Sequence, residues 1–474
     1  MAIDVRAKIE PPDRPTTSGT FGRLLILWYL IAIFTVFSLQ VGDVRITCFY
    51  AFPAAVVMLA RNLSGASRGE IILLAGLIAV ALVSVVAGLD PDFTGERFKS
   101  FLLFCYSLFM AYALRLELGR SARKDVAWIS GWLLAVIMAA AALEVLGPLK
   151  PISDSFRAWN SPLIYMAERR DLAIAGFIRP SVFTQEPSYV AIGVAVLSFV
   201  WFVSTRSRYR IIIFGIVTAL ALYLFRSPIS AITLPAAGYL LLASAFRRAT
   251  GQQRVRNVYF TVIAIAFTLP LAYLALSAIF AARRVSGGSL GDQSLVIRLA
   301  APPRIAALVF EDSPFFGAGL GGRPAIITQI QTVFGELGVL SAFQQLSRTE
   351  EAIPNAFWEH WIYLGLVGGV LAGYAIYRYF RGLCSGGNWI AAVVFLLLLA
   401  NSFGAYTTPR FWSYATLVLL AVALSAEAGA AKSPDPPMTP ALGGRPAGVM
   451  QRGIGQRVAG PPLRPAGSRD DFPR

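Results

Sequence analysis

The sequence predicts an all-α polytopic membrane protein, on composition and on patterning. Apolar residues make up 56% of the chain and charged residues only 14%, against about 25% charged in an ordinary soluble domain. A disordered chain is poorer in aromatics. A nucleic-acid binder with the same net charge of +16 needs more polar surface, so nucleic acid is not an expected partner. The patterning is a succession of about twelve apolar runs, most approaching the roughly 20 residues that cross about 30 Å of hydrocarbon. They fall at 22–41, 46–60, 70–89, 98–115, 127–147, 188–204, 209–225, 228–246, 257–280, 356–379, 388–405 and 411–428.

Residues 1–21 precede the first run; they are polar and Pro-rich, without a signal-peptide pattern. The run at 46–60 is short and holds Pro53. Those at 209–225 and 228–246 are separated only by Arg226 and Ser227, so they form either a tight helical hairpin or one broken re-entrant element. With the N-terminus placed in the cytoplasm, 26 of the 42 basic residues fall in cytoplasmic segments, and the short outer loops hold only Arg45, Arg97, Lys99, Arg226 and Arg410. Positive loops mark the cytoplasmic side. The expected organisation is a cytoplasmic segment 1–21, a transmembrane domain 22–429 with both termini inside, and a disordered tail 430–474 rich in Pro, Gly, Ala and Arg. The membrane lipid is the first partner this implies. Cys48, Cys105 and Cys384 are scattered and the chain has one histidine, so neither a metal box nor a disulfide framework is expected.

The outer loops are asymmetric. Two are long, about 148–187 and 281–355, and loops beyond about 15 residues are usually functional or disordered. The second carries apolar stretches at 295–310 and 326–343 that fit helices, with Pro302 and Pro303 suited to a helix first turn before Arg304. A partly helical cap is expected. Its charges balance, with Arg283, Arg284, Arg298, Arg304, Arg323 and Arg348 opposing six acids. An anion there would be held by individual arginines, whose planar fork binds phosphate oxygens bidentately.

Three segments beside these loops form a pattern: Arg179-Pro-Ser-Val-Phe-Thr-Gln-Glu186-Pro187-Ser; Ser294-Leu-Val-Ile-Arg298, then an apolar helix and Ser313-Pro-Phe-Phe-Gly317-Ala-Gly319-Leu-Gly321; and Asn355 with Gly365 and Gly368. Together they resemble the Wzy-type bacterial polysaccharide polymerases and the related O-antigen ligases. The resemblance covers roughly 176–370. It implies a GT-C-like architecture and a metal-independent, inverting glycosyltransferase of the bacterial inner membrane, without a cofactor. Such an enzyme moves a glycan from undecaprenyl diphosphate to an acceptor hydroxyl at the periplasmic face, beside a chain-length regulator and export proteins. Many members, ligases especially, carry His directly before the Asn; here that residue is Pro354, and His360 lies five residues beyond Asn355, about 7 Å along a helix axis. The departure favours an exopolysaccharide-type polymerase over a ligase. The rival from another class is a lipid-linked oligosaccharide flippase or transporter, against which the absence of duplicated halves counts.

On this reading Arg298 and Arg179 stabilise the lipid diphosphate leaving group, and Arg304 joins them if 298–304 is one bent helix. The alternative is that these arginines pair with Asp292, Glu311 or Asp312. Glu186 is either the base for the acceptor hydroxyl or a first-turn carboxylate facing the helix dipole. His360 is the other candidate base, or a satisfied interior side chain. Asn355 and Glu359 share a helix face as substrate-binding candidates. Gly317 and Gly319 either admit a phosphate to backbone N–H groups or form a plain turn. Trp159, Tyr165, Tyr189, Trp358, Trp361, Tyr363 and Tyr406 stack on sugars or belong to an interfacial belt, and Arg226 and Arg410 contact the head group or snorkel.

Overall fold

The computed structural model describes residues 19–35, 37–41, 44–160, 172, 177–248, 296–339, 353–384, 389–402, 404 and 406–430. The chain divides into Met1–Ala431 and Lys432–Arg474; the second unit lies outside the described residues, as do the expected span 257–280, residues 1–18, 281–295 and 340–352, and most of 161–176.

The described chain is mostly helical. Its helices are α1 (Thr20–Thr35), α2 (Phe52–Asn62), α3 (Arg68–Ala87), α4 (Thr94–Gly119), α5 (Arg123–Val145), α6 (Lys150–Asn160), α7 (Pro187–Ser204), α8 (Arg210–Phe225), α9 (Thr233–Arg248), α10 (Ala301–Asp312), α11 (Ile327–Glu336), α12 (Ala356–Leu383), α13 (Trp389–Ser402) and α14 (Pro409–Ala430). Among the described residues, five helical stretches are long and apolar enough to cross a membrane: Arg68–Ala87, Pro91–Gly119, Arg123–Val145, Pro187–Ser204 and Ala356–Leu383. Shorter apolar helices lie at Thr20–Thr35, Arg210–Phe225, Ile229–Ala243, Trp389–Ser402 and Pro409–Ser425.

The first two expected spans are corrected. α1 stops at Thr35, and an antiparallel hairpin follows, β1 (Ser38–Val41) with β2 (Val44–Thr47), in which Ser38 pairs Thr47. Val41, Val44, Ile46 and Thr47 are β-branched and stiff at χ1, which favours the pleated strand. The helix left in 46–60 is α2, eleven residues long and therefore about 16 Å, too short to cross alone. The runs at 209–225 and 228–246 are two separate helices. Arg226 takes the left-handed conformation (φ 47°) where α8 ends, α8 packs on α7, and α9 packs on α13 and α7.

Among the described residues, two cores organise the bundle. One joins α1, α2, α4, α5, α7, α8, α9, α13 and α14 around residues such as Tyr29, Phe199 and Phe395. α7 is its post: fifteen of its eighteen residues are buried, as its all-round apolar sequence demands. The other core joins α3, α4, α10, α11 and α12 around Phe104, Val309, Phe334 and Ile362. Residues 301–312 and 327–336 are helical as expected, with Pro302 in the first turn of α10. Both helices pack into the second core, because Ile305, Val309, Ile330 and Phe334 supply apolar faces that are fully buried. Outward-facing apolar residues such as Ile72, Val86, Ile212 and Tyr223 remain exposed, the surface expected of helices in hydrocarbon.

The two ends of the bundle differ chemically. At one end, charged side chains staple helix to helix. Arg23 of α1 meets Asp125 of α5 at 2.7 Å, and Arg115 of α4 meets Glu70 of α3 at 2.5 Å. Asn62 of α2 donates to Glu117 of α4 at 2.6 Å. Arg123 donates to the final carbonyls of α7, Val203, Ser204 and Thr205, satisfying acceptors that a helix end leaves without intrahelical partners. The opposite end gathers the C-termini of α1, α3, α5 and α13 and the N-termini of α4, α7, α12 and α14. That end holds the candidate site.

Candidate functional site

The site is built around α12, whose start and middle are both irregular for identifiable reasons. Asn355 caps the helix: its side-chain oxygen accepts from the Trp358 N–H at 3.1 Å. Its amide donates to the Arg298 carbonyl at 2.8 Å and the Asn401 carbonyl at 3.2 Å. One buried side chain thus joins three chain segments. Arg298 lies in a π-helical turn, Val296–Ala300, of the kind that often marks a functional position. Its Nη1 donates to the Ser402 carbonyl at 3.2 Å, which holds the half-buried guanidinium at the end of α13. The sequence pattern's Arg298 and Asn355 are therefore direct neighbours.

Ten residues into α12 the helix breaks. Gly365 has φ 64° and ψ −169°, a conformation open to glycine and costly to other residues. The Gly-rich segment after α10 fills the break. Ala318 donates its N–H to the Ile362 carbonyl at 2.8 Å, while the Leu366 and Val367 N–H groups donate to the Pro314 and Phe315 carbonyls at 2.8 and 3.1 Å. Gly317 has φ 63°, and a Cβ there would collide with the Ile362 carbonyl; one on Gly319 (φ 81°) would sit 2.6 Å from the Ser84 carbonyl. The Gly317 face is occupied by α12 backbone and the Gly319 face by the Ser84 carbonyl and the Arg97 side chain, so these glycines act here as a close-packing joint. Arg97 locks that joint. Its fully buried guanidinium donates to the carbonyls of Leu89 (2.9 Å), Asp90 (2.8 Å) and Ala318 (3.4 Å).

Glu359 is also fully buried. One carboxylate oxygen pairs with Arg323 and accepts from the Tyr363 hydroxyl at 3.3 Å; the other accepts the Tyr406 N–H at 2.6 Å. His360 bonds the Gly369 carbonyl through Nε2 at 2.9 Å, across the break, and lies edge-on to Tyr406 at 5.1 Å between ring centroids. Tyr406 stacks on Phe104, and the indole of Trp412 donates to its carbonyl. Burial pushes the Tyr406 phenol well above its ordinary pKa.

Arg304 lies elsewhere. Its guanidinium is more than half exposed and 3.7 Å from Glu336, because α10 turns that face away from the core residues Ile305 and Val309. Residues 298–304 are a π turn running into α10, and the two arginines meet different partners, the Ser402 carbonyl for Arg298 and Glu336 for Arg304. The remaining pattern sits at α7. Glu186 is the extended residue before Pro187 and accepts from the Ser188 hydroxyl at 2.7 Å. Arg179 is half-buried a few residues upstream. Between them Val182 (φ 39°) and Phe183 (φ 61°) are left-handed, a costly conformation for a β-branched and an aromatic residue. Buried Glu144, at the end of α5, holds this turn by accepting the Ser181 and Val182 N–H groups at 3.1 and 2.7 Å; Ser153 accepts from Phe183.

The start of α14 links the two halves. Arg410 is buried, donates to the Ile33 and Phe34 carbonyls at the end of α1, and lies 4.3 Å over the Tyr189 ring. It is an internal staple, not a snorkelling surface cation. Arg226 lies over the rings of Phe177 and Tyr223. Tyr165 lies outside the described residues; Trp159 is largely exposed. Sequence reasoning did not single out Arg97, Glu144 or Arg323 as partners. Arg97 offered a signal, as a basic residue at the start of an apolar run. Among the described residues no group of three His, Cys, Asp or Glu converges as metal ligands would.

No protein-family model matches the sequence, and no curated protein matches it.

Proposed function

We propose that this protein is a polysaccharide polymerase of the bacterial inner membrane. It transfers glycan from undecaprenyl diphosphate-linked repeat units to the acceptor sugar of another lipid-linked unit at the periplasmic face. The observation that carries the reading is the junction of Arg298 with Asn355, Ser402 and the broken helix α12, at the end of an apolar bundle that also bears Arg179 and Glu186. A guanidinium fixed by backbone acceptors suits a lipid diphosphate: it meets the developing charge without reorganising, and losing one such donor costs roughly 3–4 kcal/mol in comparable sites. Glu186 is the proposed base for the acceptor hydroxyl. Its carboxylate is only half-buried, whereas both Glu359 oxygens and His360 Nε2 are engaged internally.

A transporter is the second reading, because a discontinuous helix such as α12 is a transporter feature. The ends of that break are satisfied by the Pro314–Ala318 backbone, where a transporter leaves them for its ligand, and this favours the transferase. The test is Arg298→Ala in the producing bacterium. The transferase reading expects polymer to disappear while single repeats accumulate on the lipid carrier; long polymer from that variant removes the mechanism.

A further inference from the structure

We propose that Arg323 and Glu359 form a positioning clamp that sets the segment carrying the Arg298 anchor, and that neither residue touches substrate. The proposal rests on the transferase reading. Three chain segments meet at this pair. Arg323 follows the Gly-rich joint, Glu359 belongs to the first turns of α12, and Tyr406 lies in the connector between α13 and α14. The two side chains are 11% and 1% exposed. Both Glu359 oxygens are used, by Arg323 and Tyr363 on one side and by the Tyr406 N–H on the other. The Arg323 guanidinium lies over the Tyr363 ring at 5.9 Å. Its Nη2 is committed to Glu359, and its side chain is largely shielded from solvent. The connector held this way begins beside Ser402, whose carbonyl accepts from Arg298, and continues to Thr407, whose carbonyl accepts from the Ser107 hydroxyl of α4. Tyr406 in turn packs on His360. The charge pair thereby transmits the placement of the 313–326 segment to the Arg298 anchor.

The charge logic gives a distinctive test. Removing one partner of a buried pair strands the other as an uncompensated charge, whereas neutralising both removes the conflict. Arg323→Met leaves Glu359 stranded; Glu359→Gln on that background removes the charge and keeps an acceptor for the Tyr406 N–H. With lipid-linked oligosaccharide extracted from the producing bacterium's membranes as substrate, Arg323→Met is expected to lower kcat by about tenfold or more, with KM changed less than about twofold, and the double variant to recover most of that loss. A rise in KM alone, or a double variant as impaired as the single one, overturns the clamp and makes Arg323 a substrate ligand.

Amide hydrogen exchange over 402–408 is the activity-independent arm. It should quicken in Arg323→Met and return toward wild type in the double variant, and unchanged exchange in Arg323→Met also overturns the proposal. If the wild-type protein elongates nothing, the polymerase reading fails while the exchange arm still decides the clamp.

Discussion

Asn355 offers the sharpest test of how the site is assembled, because its three hydrogen bonds run to three different segments. Asn355→Ala removes the cap on α12, at about 1 kcal/mol. It also leaves the Arg298 and Asn401 carbonyls without their amide donor, at about 1 kcal/mol each. The expected loss is about 3 kcal/mol, a shift of about two decades in the folding equilibrium. Asn355→Ser keeps a capping hydroxyl and should lose about 2 kcal/mol. Asn355→Asp is nearly isosteric and keeps the cap, but it turns an acceptor toward two carbonyl oxygens 2.8 and 3.2 Å away, so it should be less stable than the Ser variant. Unfolding of the purified protein in mixed detergent micelles, followed by tryptophan fluorescence, gives the order. An Asp variant as stable as wild type would show that the cap alone matters and that Asn355 does not tie down the Arg298 turn.

Other substitutions follow from the same contacts. Gly317→Ala places a Cβ against the Ile362 carbonyl at φ 63° and should cost about 2 kcal/mol or more, lowering the unfolding midpoint; an unchanged midpoint would mean the joint is loose. Glu144→Ala leaves the Ser181 and Val182 N–H groups unpaired behind a strained turn and should cost about 2–4 kcal/mol, with faster proteolysis at 177–186 as the check. Arg304→Ala removes only an exposed contact to Glu336 and should change stability by less than about 0.5 kcal/mol, with polymer length unaltered; loss of polymer would return Arg304 to the site.

Local signals account for what the sequence revealed. Long apolar runs announced the helices Arg68–Ala87 and Ala356–Leu383, and paired prolines before Arg304 announced the start of α10. The hairpin at Ser38–Thr47 was hidden because Ser38–Val41 extends the apolar run of α1 and Ile46 and Thr47 open the next run, and hydropathy alone does not distinguish a short apolar strand from a helix end. Arg298 and Asn355 were candidates through the family resemblance, but the contact between them was not legible in the sequence. The Arg323–Glu359 pair and Glu144's hold on Ser181 and Val182 join residues 36 to 38 positions apart, and no local period encodes such pairings. The glycines announced themselves, but only the structure shows that the open face of Gly317 receives backbone from α12 and that of Gly319 the Ser84 carbonyl and the Arg97 side chain.

Reconstitution tests the central claim most directly. Purified protein in lipid vesicles, supplied with radiolabelled lipid-linked repeat units and no other protein, should convert them to a ladder of longer lipid-linked glycans and release undecaprenyl diphosphate. The Arg298→Ala protein, folded to the same unfolding midpoint, should leave single repeats unchanged. Movement of intact repeats across the vesicle membrane without any new glycosidic bond would contradict the account and make the protein a transporter.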